Sequence, residues 1–200
     1  MSHFKEAAKT WDKDSTINRN RIFAEAIVSK LDRNQLRTLD FGCGTGLLSQ
    51  FLIDKISYLI GIDTTQEMLD QFNEKFADFK RFETHCLNIE ENDIPKEFGK
   101  FDLIISAMAF HHLKNPIQGL AKLVDILNQE GEIFIIDLEK EDGSFHPDNK
   151  KMGVHHFGFS SEDHQAWAKE LNLKFERKAI FSIEKNDRSY DVIMAHFSRN

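Results

Sequence analysis

Cysteine is scarce in this chain: Cys43 and Cys86 are the only two in 200 residues, and no Cys-x-x-Cys pair is present to suggest a zinc site. No apolar run is long enough to span a bilayer, and the polar N-terminus carries no signal-peptide pattern. Together these absences point to a reduced, cytoplasmic setting and to no membrane partner. Basic residues are also in deficit, 26 Lys and Arg against 33 Asp and Glu, for a net charge of −7. That balance counts against a nucleic-acid partner, because proteins of that kind neutralise phosphates with a basic face. Internal repeats and low-complexity linkers are missing as well, and 200 residues suffice for one core that buries most of its apolar surface.

What the chain does have is a concentration of glycine in one place. Residues 39–46, Leu-Asp-Phe-Gly-Cys-Gly-Thr-Gly, join a short apolar run to a glycine-spaced turn and then to a helix, the build of a nucleotide-cofactor site. Leu36, Leu39 and Phe41 read as the end of a buried strand, while Leu47, Leu48, Phe51 and Leu52 recur at helical spacing. Gly42, Gly44 and Gly46 permit positive φ and a close approach of backbone to ligand. A dinucleotide turn needs G-x-G-x-x-G, and here the third glycine arrives one residue early, which disfavours a pyrophosphate cradle and with it a nicotinamide-dependent dehydrogenase. Asp40 at the same mouth suits a ligand with a positive charge and repels phosphate. Asp63 ends the second apolar run, Tyr-Leu-Ile-Gly-Ile-Asp, where a carboxylate can bind both hydroxyls of a ribose. A positively charged nucleoside without phosphates fits these residues best.

Strand and helix patterns alternate along the chain, so a mostly parallel sheet with helices on both faces is expected. Ser15 to Leu31 reads as an amphipathic helix with Ile22, Phe23, Ala26, Ile27 and Leu31 on its apolar side. Thr64-x-x-Glu67 resembles a capping box that opens a helix carrying Met68, Leu69, Phe72 and Phe76. Asn115-Pro116 is a second start signal, with Ile117, Leu120, Val124 and Leu127 on one face. Ser160 or Ser161 opens a last helix containing Ala166, Trp167 and Leu171, and Ala179–Ile183 with Tyr190–Phe197 read as a hairpin whose second strand enters the sheet antiparallel.

The glycine turn, Asp63, the run Phe101-Asp-Leu-Ile-Ile-Ser-Ala-Met-Ala-Phe-His-His-Leu113 and the run Gly131-Glu-Ile-Phe-Ile-Ile-Asp-Leu138 together resemble the class I S-adenosylmethionine-dependent methyltransferases over nearly the whole chain. Glu141-Asp-Gly-Ser-Phe-His146 and Val154-His-His-Phe-Gly158 resemble a bacterial, small-molecule-type subgroup of that family, methyltransferase type 11/12-like. The resemblance implies an α/β fold: a Rossmann-like, doubly wound, seven-stranded, mostly parallel sheet of order 3-2-1-4-5-7-6 with strand 7 antiparallel. It implies a single domain over 1–200, with 1–32 as a helical arm or cap and 139–159 as a lid-like loop. It also implies S-adenosylmethionine as cofactor and transfer of a methyl group, by in-line displacement, to a small-molecule acceptor that the sequence does not identify, by a monomer or homodimer.

Carried over position by position, the resemblance makes Gly42, Gly44 and Gly46 the approach to the methionine part and ribose, with Asp40 beside them, and Asp63 with Thr64 the ribose-binding pair. Met68 is either a packing residue or an adenine contact, and the main chain of Ala107 is a cofactor contact after the fourth strand. Asn88 stands where many members place an aspartate that receives the adenine amino group; its side-chain carbonyl still accepts a hydrogen bond. Ser106-Ala-Met-Ala109 replaces the Asn/Asp-Pro-Pro-aromatic sequence of members that methylate adenine or glutamine amide nitrogen, which counts against those acceptors. Trp11, in Ala7-Ala-Lys-Thr-Trp-Asp12, either shields the sulfonium with its ring face or anchors the N-terminal arm.

Histidines are the candidates for acceptor chemistry. His111 and His112 either satisfy buried carbonyls or supply a base. His146, His155 and His156 fall in a long polar connection with Gly143, Gly153 and Gly158, and three readings stand: a solvated loop, a lid that brings an imidazole to the acceptor, or a metal site completed by His111 or His112. No metal is expected on balance, because adjacent histidines point apart. Cys43 reads as a small turn residue rather than a nucleophile. A binding module that senses the cofactor without consuming it is the alternative function.

Overall fold

The computed structural model of the protein describes residues 2–185 and 187–200. Seven strands, β1 (Leu36–Phe41), β2 (Ile56–Asp63), β3 (Phe82–Cys86), β4 (Phe101–Ala107), β5 (Leu127–Leu138), β6 (Leu173–Lys185) and β7 (Arg188–Arg199), form one sheet in the order β3-β2-β1-β4-β5-β7-β6. β1 to β5 pair in parallel and β7 runs antiparallel to both of its neighbours, so the expected strand order and the expected antiparallel strand are the ones found. Six α-helices accompany the strands among the described residues: α1 (Ser2–Ala7), α2 (Asp14–Val28), α3 (Leu47–Phe51), α4 (Gln66–Lys75), α5 (Pro116–Asp125) and α6 (Ser161–Glu170). No helix among the described residues is long and apolar enough to cross a membrane.

Uninterrupted apolar strands mark a sheet covered on both faces. Leu103 and Ile105 of β4 pack with Phe134 and Ile136 of β5 and with Phe23 and Ile27 of α2 in one core. Ile104, Ile133 and Ile135, one residue out of phase, pack with Leu120 and Leu123 of α5 and Trp167 of α6 in the other. The pleat sends consecutive residues to opposite faces, which is how the single apolar run Ile133–Ile136 feeds two cores.

Three local details differ from the sequence reading. The capping box at Thr64-x-x-Glu67 does not form: Asp63 Oδ1 takes the Thr65 N–H at 2.9 Å, Thr65 becomes the N-cap without a side-chain bond, and Glu67 instead pairs with Lys5 of α1 at 2.7 Å. Leu127 is not on the face of α5, because that helix stops at Asp125 and Leu127 opens β5. The helix after the glycine turn is only five residues long and gives way to a 3-10 turn over Ile53–Lys55. The other two starts form as expected. Asn115 Oδ1 accepts the Gln118 N–H, with Pro116 first in the helix, and Ser160 with Asp163 forms a reciprocal capping box on α6.

Candidate functional site

Open parallel sheets leave a crevice beyond the carboxyl ends of their strands, and here β1, β2 and β4 end at a cavity of about 290 Å³. Trp11, Asp40, Gly42, Gly44, Asp63, Thr64, Met68, Asn88, Ala107, His112 and His155 all border it. Gly46, His111, His146 and His156 do not. Gly46 serves packing instead: it holds a left-handed conformation (φ 78°) at the start of α3, and a Cβ there would come within 2.6 Å of the Phe72 ring.

The turn between β1 and α3 is shaped by need. Gly42 has φ 67°, and a Cβ on it would lie 2.4 Å from Cβ of Ala109 in the loop after β4, so the two loops meet closely enough to wall the cavity. Asp63 braces the turn from β2: its Oδ2 accepts the Gly44 N–H and its Oδ1 the Thr65 N–H, both at 2.9 Å. Burial pushes the Asp63 carboxyl up and these N–H bonds pull it back. Each oxygen retains a lone pair for a ligand hydroxyl. Asp40 is 2 % exposed and, among the described residues, bonded on one side only, accepting from Ser49 Oγ at 2.6 Å. Burial, above all, lifts its pKa to about 7. A carboxyl held at that balance point gains most from a ligand cation.

Asn88 departs from the simple expectation. Its Oδ1 accepts the Glu90 N–H at 3.0 Å, so one of the two lone pairs counted for a ligand already holds its own loop together. Met68, 2 % exposed, both packs in the interior and borders the cavity. Cys43 is buried, and burial together with the charges of Asp40 and Asp63 raises its thiol well above the usual range, which suits a packing residue.

The adjacent histidines do not point apart as expected: their ring centres lie 4.1 Å from each other, because a different partner holds each one. His112 Nδ1 donates to the Gly153 carbonyl at 3.0 Å, a bond that leaves the lone pair on Nε2. Burial, aided by His111, lowers its pKa to about 4. His111, 1 % exposed, donates from Nδ1 to Asp137 Oδ1 at 2.8 Å and from its backbone N–H to Oδ2 at 3.1 Å. Burial by itself would raise the Asp137 carboxyl, but His111 and the Leu138 N–H hold it below the usual range. His146 lies 5.0 Å from His111, ring centre to ring centre, and burial chiefly lowers its pKa to about 3. His155 and His156 both donate backbone N–H groups to the His111 carbonyl.

The 139–159 connection is therefore seated on the histidine turn. It is also held internally, with Glu141 Oε2 accepting from Gly143, Ser144 and Phe145 and with Phe145 buried. Among the described residues no group of three His, Cys, Asp or Glu side chains is arranged to hold a metal. The N-terminal arm closes the other side: Asp12 accepts from Thr45 Oγ1 at 2.6 Å and pairs with Lys75 at 2.7 Å, and the Phe4 ring packs edge-on against both Trp11 and His112.

Three residues escaped the sequence reading. Arg19 borders the cavity from α2; the available signal was a cation four residues before Phe23, on the apolar side of an amphipathic helix. Asp137 had the same signal as Asp40 and Asp63, an acid closing an apolar strand. Met108, in the cavity wall at φ 56°, gave no signal, since strain at a non-glycine residue is a tertiary property.

Residues 39–133 match the family described as a methyltransferase domain. A methyltransferase of Schizosaccharomyces pombe, itself uncharacterised, is 36 % identical over 65 % of this chain and 50 % of its own length. Over residues 39–133 the chain is similar to methyltransferase domains. The malonyl-[acyl-carrier protein] O-methyltransferase of Acetivibrio thermocellus is a second relative, 31 % identical over 64 % of this chain and 45 % of its own length. The chain thus spans about half the length of the curated relatives it matches. Among solved structures, an S-adenosylmethionine-dependent methyltransferase from Aquifex aeolicus superposes with a TM-score of 0.69 at 20 % identity, covering 96 % of this chain and 97 % of that one, which shows the shared fold.

The residues present fit S-adenosylmethionine, on which the Aquifex aeolicus methyltransferase depends. Asp63 offers lone pairs to a ribose diol, and Asp40 has, among the described residues, one oxygen without a hydrogen bond for an amine.

Proposed function

We propose that the protein transfers the methyl group of S-adenosylmethionine to a small-molecule acceptor. The observation that carries this reading is the convergence, on one cavity, of two strand-end carboxylates, the glycine turn between them and His112, whose Nδ1 is taken up by Gly153. When bound, the cofactor supplies an activated methyl group on a sulfonium and leaves as a neutral thioether. Asp63 holds the ribose, Asp40 the amine, and Met68 with the loop at Asn88 borders the adenine side. Trp11 and Phe4 cover the cavity and exclude water. His112 orients the acceptor. With a pKa near 4 it stays neutral at physiological pH and acts as a hydrogen-bond acceptor rather than as a strong base. The relatives that act on a malonyl group favour a small acidic acceptor.

Calorimetry with S-adenosylhomocysteine tests the cofactor half of the reading. Wild-type protein should bind it, and Asp63→Ala should weaken binding at least about tenfold, the worth of one charge-assisted hydrogen bond. Absence of binding to the wild type sinks the proposal. The acceptor half is tested by S-adenosylhomocysteine release across a panel of small carboxylic acids and their thioesters. A second reading, cofactor binding without transfer, is favoured by the Phe4 ring lying against His112 on the acceptor side. Tight binding with no product from any acceptor, and none after removal of residues 1–10, would select it.

A further inference from the structure

Among the described residues, one charged group that borders the cavity has a buried polar atom with no partner. Arg19 borders it from α2, its Nε is buried without a hydrogen bond, and its guanidinium makes no hydrogen bond or ion pair among the described residues. Burial lowers its pKa, and no carboxylate offsets that effect. The contrast with its surroundings is sharp: Asp12 has Lys75 and Thr45, Asp63 has Gly44 and Thr65, and Asp40 has Ser49. The next residue, Asn20, is turned to its own helix, donating to the Thr16 carbonyl, and does not reach across to Arg19. A partly buried cation without a counter-charge costs free energy unless a ligand supplies the anion.

We infer that Arg19 is the carboxylate-holding residue of this cavity. A guanidinium presents parallel N–H groups that match the two oxygens of a carboxylate. Phosphate shares that geometry, but Asp40 and Asp63 on the same cavity repel a dianion more than a monoanion. The inference deepens the cofactor reading above and rests on it. The carboxylate has two sources, the amino-acid end of the cofactor or an acidic acceptor beside it, and both present the same chemistry to Arg19.

The experiment is calorimetry on wild-type protein, Arg19→Met and Arg19→Lys, with thermal unfolding to verify that each variant is folded. Three probes are titrated: S-adenosylhomocysteine, 5′-methylthioadenosine, which is the same nucleoside thioether without the amino acid, and malonate added to the S-adenosylhomocysteine complex. If Arg19 holds the cofactor, Arg19→Met loses about tenfold or more in S-adenosylhomocysteine affinity and nothing in 5′-methylthioadenosine affinity, with partial rescue by lysine. If it holds the acceptor, both nucleosides bind unchanged and malonate binding is lost. Equal losses for the two nucleosides, or no change with any carboxylate, overturn the inference. Should the wild type bind neither nucleoside, the cofactor reading fails on its own. Malonate titrated into the free protein then decides the role of Arg19: binding abolished in Arg19→Met supports it, and no binding or unaltered binding overturns it.

Discussion

Asp40 and Asp63 show how two aspartates at equivalent strand ends acquire different duties. Asp63 receives two backbone N–H groups, which partly repay its burial; Asp40 receives one hydroxyl and is left titrating at about 7. A ligand amine prefers the ionised form of Asp40. Below pH 7 that form must first be created by loss of a proton, so S-adenosylhomocysteine affinity should rise between pH 6 and pH 8 and level off above it. Calorimetry across that range in buffers of differing ionisation enthalpy should show about one proton released at pH 6. Asp40→Asn should flatten the profile and weaken binding at pH 8. A profile unchanged by the substitution would remove Asp40 from the amine site.

Glycines 42 and 46, four residues apart in one turn, separate binding from stability at the level of the element. A Cβ on Gly42 strikes the loop after β4, which carries Met108 and His112, whereas a Cβ on Gly46 strikes Phe72 and Phe76 around α4. Both positions have positive φ, so alanine costs about 1–2 kcal/mol at either from backbone strain. Gly46→Ala should therefore lower the melting temperature while the folded fraction binds S-adenosylhomocysteine within a few-fold of wild type. Gly42→Ala should cost affinity as well, because the cavity wall must move. Removing the capping box of α6 with Ser160→Ala should cost about 1 kcal/mol by urea unfolding, without an effect on binding, since that helix lies away from the cavity.

Across the molecule, the buried histidines decide how stability responds to acid. His112, His146 and His164 titrate at about 4, 3 and 4, chiefly because of burial, whereas in the unfolded chain they titrate near 6.5. Their folded pKa values are depressed, so as the pH falls from about 6.5 toward 4 the unfolded state takes up protons that the folded state refuses, and stability is lost. Asp40 and Asp63 have raised folded values and act in the opposite sense. Three groups outweigh two, and the ligand-free protein should melt at progressively lower temperature from pH 6.5 to pH 4.5. His164 is the cleanest probe: it is 2 % exposed, with neither ring nitrogen bonded, among Phe159, Trp167, Phe175 and Phe197. His164→Leu should reduce the acid sensitivity measured by thermal unfolding.

Much of this was written in local pattern. The alternation of apolar runs and amphipathic helices, the glycine turn, the acids at the ends of β1 and β2 and the start signals at Asn115 and Ser160 depend on neighbours within a few residues, and resemblance to a family supplied the strand order. The remainder needed distant parts of the chain brought together. Whether Gly46 faces ligand or phenylalanine depends on α4; which histidine meets the cavity depends on Asp137 and Gly153, 26 and 41 residues beyond their partners. The unpartnered Nε of Arg19 exists only because folding buries α2 against the cavity without placing, among the described residues, an acceptor opposite it. Backbone preference and periodicity are local quantities and can be read along the chain, whereas burial and pairing of charge are set by the space that several elements enclose, and tertiary structure alone decides them.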